Sequence, residues 1–327
     1  MKLYYFLIWL VLSSLLSCKK EDSPTVTSPQ AQAYIEEVVA IMQRYSVNRK
    51  QIDWNDFKQK ITGLANGAQT IADTYPAITL ALKMLEDNHS SYVAATGGRV
   101  LSGNTKAICV DFAPVKVPET DGIGYIHLPS SGGYDANGVK YGLIGLEYAQ
   151  HIQALIKQQD QPALKGWIID LRGNKGGDMW AMLAGVGPLL GEGTVGYFMD
   201  PDGNYYPWSY TNGVASERSP IYTVANPYIL QNPAPKIALL TDGAVASAAE
   251  GITIAFKARA NTRSFGPATC GVSTSNAPFY LSDGALLSLT VGIMADRTKK
   301  VYGGPVPSDE NLSSLTAVQK AIEWVSQ

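Results

Sequence analysis

The chain has 327 residues, 46% hydrophobic and 17% charged, enough apolar mass to bury a sizeable core, which excludes a disordered chain and predicts one large domain with a small satellite. With 26 basic against 28 acidic residues the net charge is −2 and there is no basic block, which excludes electrostatic capture by nucleic acid. The cysteines and histidines show no metal-ligand spacing, so neither a metal nor another cofactor is expected.

Residues 1–17 read as a signal peptide: one early cation, then an apolar run from Leu3 to Leu12 that is short for a membrane span. The run ends in Leu15-Leu16-Ser17-Cys18, which resembles the lipobox of bacterial lipoproteins. That resemblance implies a lipid on Cys18 and an exported protein held at the bacterial cell envelope, with the outer membrane as the expected face. The alternative is a plain secretory peptide with a chance cysteine. Residues 18–30 are polar, with Ser, Pro and Thr, and read as a tether. Cys109 and Cys270 then remain; in an oxidising envelope they pair or stay as buried thiols, and the sequence does not choose.

From Gln30 the apolar residues Tyr34, Ile35, Val38, Val39, Ile41, Met42 and Tyr45 recur at helical spacing. Asp53 is placed to cap a second helix carrying Trp54, Phe57, Ile61 and Leu64, and Thr74-Tyr75-Pro76 opens a third through Leu85. Residues 31–92 are therefore expected to form an N-terminal helical subdomain, and residues 93–327 an α/β core. In that core "AICVDFAPV" and "IGYIHL" read as strands, Leu143 to Gln158 as a helix, Gly166 to Asp170 as a strand and Met179 to Leu190 as a helix. Residues 192–235, rich in Gly, Pro, Tyr and Asn, read as an irregular surface excursion beside a substrate cleft. Lys236 to Leu240 reads as a strand, with a helix after it. A hairpin turning at Asp283-Gly284 and a helix from about Ser313 complete the chain.

Two segments carry candidate chemistry. Ser247, in "TDGAVASAAEGI", stands between a buried-looking strand and a helix, where a hydroxyl projects into a cleft and the helix N-terminus offers free amides to an anion. Ser247-Ala-Ala-Glu250 equally fits a capping box, which is a purely local role. "DLRGNKGG", Asp170 to Gly177, brings adjacent glycines whose N–H groups can be directed at an oxyanion, or form an ordinary turn before a helix.

Taken together, "DLRGNKGG" and "LLTDGAVASAAEG" resemble the C-terminal processing, or tail-specific, family of serine peptidases, with "GYIHL" and "GGPVPSD" as further family-like pieces. The resemblance implies a crotonase-like spiral core of β/α units, no cofactor, and a peptide or unfolded protein as substrate. Carried over by position, Ser247 is the nucleophile, and the amides of Ala248 and of Gly176 or Gly177 hold the oxyanion. The family's basic lysine is replaced by Val272, while Lys257 stands too early in the helix and Lys299 and Lys300 in a polar loop.

Of the three histidines, His151 reads as a surface or packing residue and His127 as a strand residue without a motif. His89, in "LEDNHSSYV", resembles the histidine stretch of the tricorn-like branch, which implies that His89 is the general base, a role suited to a group titrating near neutrality. Asp296 and Glu310 are the candidates for the acid that orients it. The space between Tyr92 and Ile123 is too short for a PDZ module. The expected activity is that of an exported serine peptidase, an endopeptidase, anchored to the membrane through Cys18. The competing expectation is an inactive lipid-anchored protein of the same fold that binds peptides or apolar ligands.

Overall fold

The computed structural model describes residues 26–103, 109–110, 116–119, 121–131 and 143–327. The expected signal peptide, Cys18 and most of the expected tether lie outside the described residues, as does most of the "AICVDFAPV" run; Cys109 and Val110 within it are not in a strand. No helix among the described residues is long and apolar enough to cross a membrane.

Three helices open the chain: α1 (Pro29–Tyr45), α2 (Trp54–Leu64) and α3 (Tyr75–Met84). The first starts earlier than the tether was expected to end, because Ser28 accepts a hydrogen bond from the Ala31 amide and Pro29 is tolerated in a first turn. Asp53 caps α2 through the amides of Asn55 and Asp56. Next come β1 (Ser91–Val93), β2 (Val100–Ser102), β3 (Ile123–His127), α4 (Gly145–Gln159), β4 (Gly166–Asp170) and α5 (Met179–Leu190). Then follow β5 (Gly193–Met199), β6 (Tyr205–Thr211), β7 (Val214–Ser216), β8 (Pro220–Thr223), β9 (Lys236–Leu240) and α6 (Ala248–Phe256). The last elements are β10 (Thr262–Phe265), β11 (Thr274–Tyr280), β12 (Leu286–Asp296) and α7 (Ser314–Ser326).

The fold is mixed α/β. A parallel sheet in the order β10-β9-β4-β3 is crossed by α4, α5 and α6. Its strands read as apolar runs because both faces are covered. Trp167, Ile169, Ile237 and Leu239 point into the core with α4, α5 and α6, whereas Ile168, Ala238 and Leu240 meet Ala317, Val318, Ala321 and Val325 of α7. Each fully buried Leu or Ile contributes about 1.5–3 kcal/mol, so the period-two alternation fixes the register from both sides.

A second, antiparallel sheet runs β2-β1-β12-β5-β6-β7-β8, with β11 also paired to β12. Residues 192–235, expected to be irregular, thus supply four strands. Trp208, Tyr210 and Ala215 are buried against α5 while their neighbours face outward, an alternation hidden by the turn residues around it. One edge of β12 pairs with β11 along Leu286 to Ile293, and the other pairs first with β1 and then with β5. The N-terminal helices do not enclose a core of their own. Ile35, Val38, Phe57, Ile78 and Leu85 pack with Tyr92, Leu101, Leu287 and Leu289 of the antiparallel sheet.

Candidate active site

Two loops leave the carboxyl ends of adjacent parallel strands, β4 and β9, and one side chain holds both. The buried Asp242 carboxylate accepts from the amides of Ala244 (2.9 Å) and Val245 (3.2 Å) in its own loop and from Gly173 (3.2 Å) in the other. Burial raises its pKa, and the amide donors oppose the rise. Asn174 extends the link. Its carbonyl accepts from Ala246 N–H (3.0 Å), its Nδ2 donates to the Leu128 carbonyl (2.8 Å), and its Oδ1 accepts from Gly176 N–H (2.9 Å). Beneath it, Arg172 donates to the buried Asp170 at 2.8 Å and 2.6 Å, and Tyr125 donates to the same carboxylate at 2.9 Å.

This scaffold sets Ser247 at a sharp turn with φ 54° and ψ −118°, a conformation that non-glycine residues rarely adopt and that costs about 1–3 kcal/mol. Gly176 lies against it with φ +101°; a Cβ there would stand 2.9 Å from the Ser247 Cβ and 2.8 Å from the Ala246 carbonyl. Only glycine fits. Glu250, fully buried, supplies the return half of the capping box, accepting from Ser247 N–H at 2.9 Å. It also accepts from Thr269 Oγ1 (2.5 Å), Gly271 N–H (2.9 Å) and Val272 N–H (2.9 Å). Burial lifts its pKa, and these four donors oppose the lift. The 269–272 loop it holds is pinned a second time: Cys270 forms a disulfide with Cys109, and Val110 N–H donates to the Gly243 carbonyl.

The structure brings His89 and Ser247 to the same cavity, about 530 Å³, whose lining also includes Gly177, Asp178, Trp180, Phe198, Glu217, Ala248 and Thr274. His89 follows a tight turn in which Asp87 Oδ1 accepts from the amides of His89 (2.9 Å) and Ser90 (2.8 Å). Its Nδ1 is hydrogen-bonded to Thr274 Oγ1 at 2.8 Å. Burial lowers the His89 pKa, and the nearby Asp87 charge opposes that shift. Among the described residues, the amides of Gly177 and Ala248 donate to no acceptor, whereas that of Gly176 is taken by Asn174.

The remaining candidates lie elsewhere. Asp296 ends β12 and holds the turn after it, where Oδ1 accepts from Thr298 and the Lys300 amide and Oδ2 from Tyr302 (2.9 Å). Glu310 pairs with Arg263 at 3.2 Å on the surface beside β10. Neither lines the cavity with His89, so the expectation that one of them orients the ring does not hold; the hydroxyl of Thr274 occupies that place. His127 ends β3 opposite Asp170, and His151 lies on the exposed side of α4. Val272 is buried, and Lys257 is bound to Ser264 and Asp309. Sequence reasoning missed Thr274 and Glu217. Thr274 stands two residues beyond Val272 in a stretch without a motif, and Glu217 lies in the segment that read as irregular.

The model of the family described as Peptidase family S41 matches residues 122–302. The nisin-resistance protein of Lactococcus lactis subsp. lactis is 25% identical over 298 residues, covering 91% of this chain and 87% of that protein. A lipoprotein from Streptococcus agalactiae superposes with a TM-score of 0.68 at 23% identity, over 91% of this chain and 97% of that one. The photosystem II D1 C-terminal processing protease superposes with a TM-score of 0.60 at 15% identity, over 90% and 97%.

Proposed function

The chain belongs to peptidase family S41, and from that premise we propose that it is an active serine peptidase in which Ser247 is the nucleophile and His89 the general base. The observation that carries the reading is the shared cavity, in which an imidazole fixed through Nδ1 faces the same space as a strained serine and two unpartnered amides. With Nδ1 engaged by Thr274, Nε2 is the nitrogen left to take the serine proton. The hydroxyl oxygen then adds to the scissile carbonyl, and the negative oxygen is received by Gly177 N–H and Ala248 N–H, at the N-terminus of α6. Protonated His89 returns its proton to the leaving amine, an acyl-enzyme ester forms, and water activated by the same imidazole releases the acid. Gly176 serves the site by its small size and its bond to Asn174 rather than as an oxyanion donor.

Internal cleavage of peptides is the substrate reading, supported by a cavity that is open beside the edge residues Thr274 to Ala277 of β11. Export and anchoring at the cell envelope through Cys18 complete the proposal, supported by the lipobox-like sequence, the intramolecular disulfide and the likeness to a streptococcal lipoprotein.

The test is intact-mass detection of fluorophosphonate labelling, together with hydrolysis of a quenched peptide library, on the mature protein and its Ser247→Ala and His89→Ala variants. Labelling and hydrolysis in the wild type alone are expected, with His89→Ala slower by about 10²–10⁴. A folded wild type that takes no label and cleaves nothing overturns the reading in favour of a binding protein of the same fold.

A further inference from the structure

The proposed chemistry uses neither of the cavity's acidic groups, and one of them accepts no hydrogen bond among the described residues. Two carboxylates line the cavity, Asp178 and Glu217. Asp178 is fully engaged: Oδ1 accepts from the amides of Trp180 (3.0 Å) and Ala181 (3.2 Å) to cap α5, and Oδ2 accepts from Tyr222 (2.7 Å). Glu217, half-buried just after β7, makes neither a hydrogen bond nor an ion pair among the described residues. The neighbouring Arg218 does not quench it by direct contact, because its guanidinium lies over the Tyr206 ring, 4.1 Å from the centroid. Among the described residues, no lysine or arginine lines the cavity. Burial raises the Glu217 pKa, and the nearby Arg218 charge opposes the rise without donating to the carboxylate.

The lining of the cavity also has an apolar part. Trp180 and Phe198, packed edge to face at 6.2 Å, and Met179 and Met294 give an apolar surface leading along the cavity. A cavity with an aromatic and methionine-lined part and one carboxylate that accepts no hydrogen bond suits a side chain that has a long aliphatic stem and a cationic tip, since the stem covers the methionines and the aromatic faces while the tip pairs with the acid.

Resting on the reading of the site as a peptidase, we propose that Glu217 is the specificity-determining residue of a subsite that selects a lysine or arginine side chain of the substrate next to the scissile bond. The carboxylate accepts N–H bonds from the ammonium or guanidinium group, which replaces the missing partner and places the adjacent carbonyl at Ser247. An α-amine at a peptide's N-terminus has the same chemistry and is separated by the test.

The experiment measures kcat/KM by mass spectrometry on peptides acetylated at the N-terminus and amidated at the C-terminus, identical except for lysine, arginine, norleucine or glutamate at each position flanking the cut, and on the same set left unacetylated. It is run on wild type, Glu217→Gln and Glu217→Lys. Wild type should prefer lysine or arginine over norleucine at one position by about tenfold or more, from a charge-assisted pair in a partly dry site. Glu217→Gln should bring that ratio close to unity, and Glu217→Lys should move the preference to glutamate. A ratio that survives in Glu217→Gln, a wild type that cleaves and takes the fluorophosphonate without favouring a basic residue, or a preference that appears only with unblocked N-termini overturns the proposal and leaves the peptidase reading standing. A wild type that neither cleaves nor takes the label overturns both.

Discussion

At the scale of single residues, the site depends on small groups holding reactive ones. Thr274 is assigned a positioning role: its hydroxyl sits 2.8 Å from His89 Nδ1 and fixes the ring orientation, accepting from Nδ1–H in the tautomer that leaves Nε2 free as the base. Thr274→Val should lower kcat by about tenfold or more with KM little changed, and Thr274→Ser should recover most of the loss; equal losses in both variants would assign the threonine a packing role only. The pH profile follows from burial. A base acts when neutral, and burial holds the His89 pKa below its usual 6.5, so kcat/KM should rise with pH through a limb centred below that value. Asp87 works against the shift, so Asp87→Asn, which can still accept from the His89 and Ser90 amides, should move the limb further toward acid. A limb that moves upward in the variant would contradict the electrostatic account. The sequence displayed Ser247, the glycines and His89 because a resemblance marks them. It did not display Thr274 or Glu217, since a hydroxyl that turns a ring and a carboxylate that faces a cavity are set by strand register across distant segments.

At the scale of elements, the helices and the parallel strands β3, β4 and β9 were legible because their apolar runs are marked and caps such as Asp53 before α2 are explicit, whereas β10 was not read. The strands β5 to β8 were not, because their tyrosines, prolines and glycines carry turn chemistry and only the cross-strand pairing shows which side is buried. The 269–272 loop is the element whose stability bears most directly on the site. Glu250 gathers three donors from it and one from Ser247. Glu250→Gln sets an NH₂ group against those donors and should cost about 2–4 kcal/mol, read as a lower Tm with a folded far-UV spectrum. Replacing Cys109 and Cys270 together by serine should lower stability by about 2–5 kcal/mol, measured by urea unfolding of the variant beside the oxidised wild type. A variant as stable as the parent would show that the loop is held by Glu250 alone.

At the scale of the whole molecule, the two proposed partners in proton transfer belong to different cores. Ser247 starts a helix packed in the core of the parallel sheet, beside Val245, Ala248 and Met294. His89 lies between Leu85 and Tyr92, both in the core formed by the N-terminal helices and the antiparallel sheet. The strand β12 contributes to both, Leu287 and Leu289 to the second core and Met294 to the first. Turnover is therefore a gauge of how these cores are seated on each other, and not of how much helix or sheet survives. Mild urea or heat that loosens the smaller core should silence hydrolysis while far-UV dichroism stays near its native value, and coincident midpoints by the two probes would show instead that the cores melt as one. For the proposed exported peptidase that arrangement has a practical side: a chain whose parallel sheet has formed carries the proposed nucleophile without its base until the helices between Pro29 and Met84 have docked.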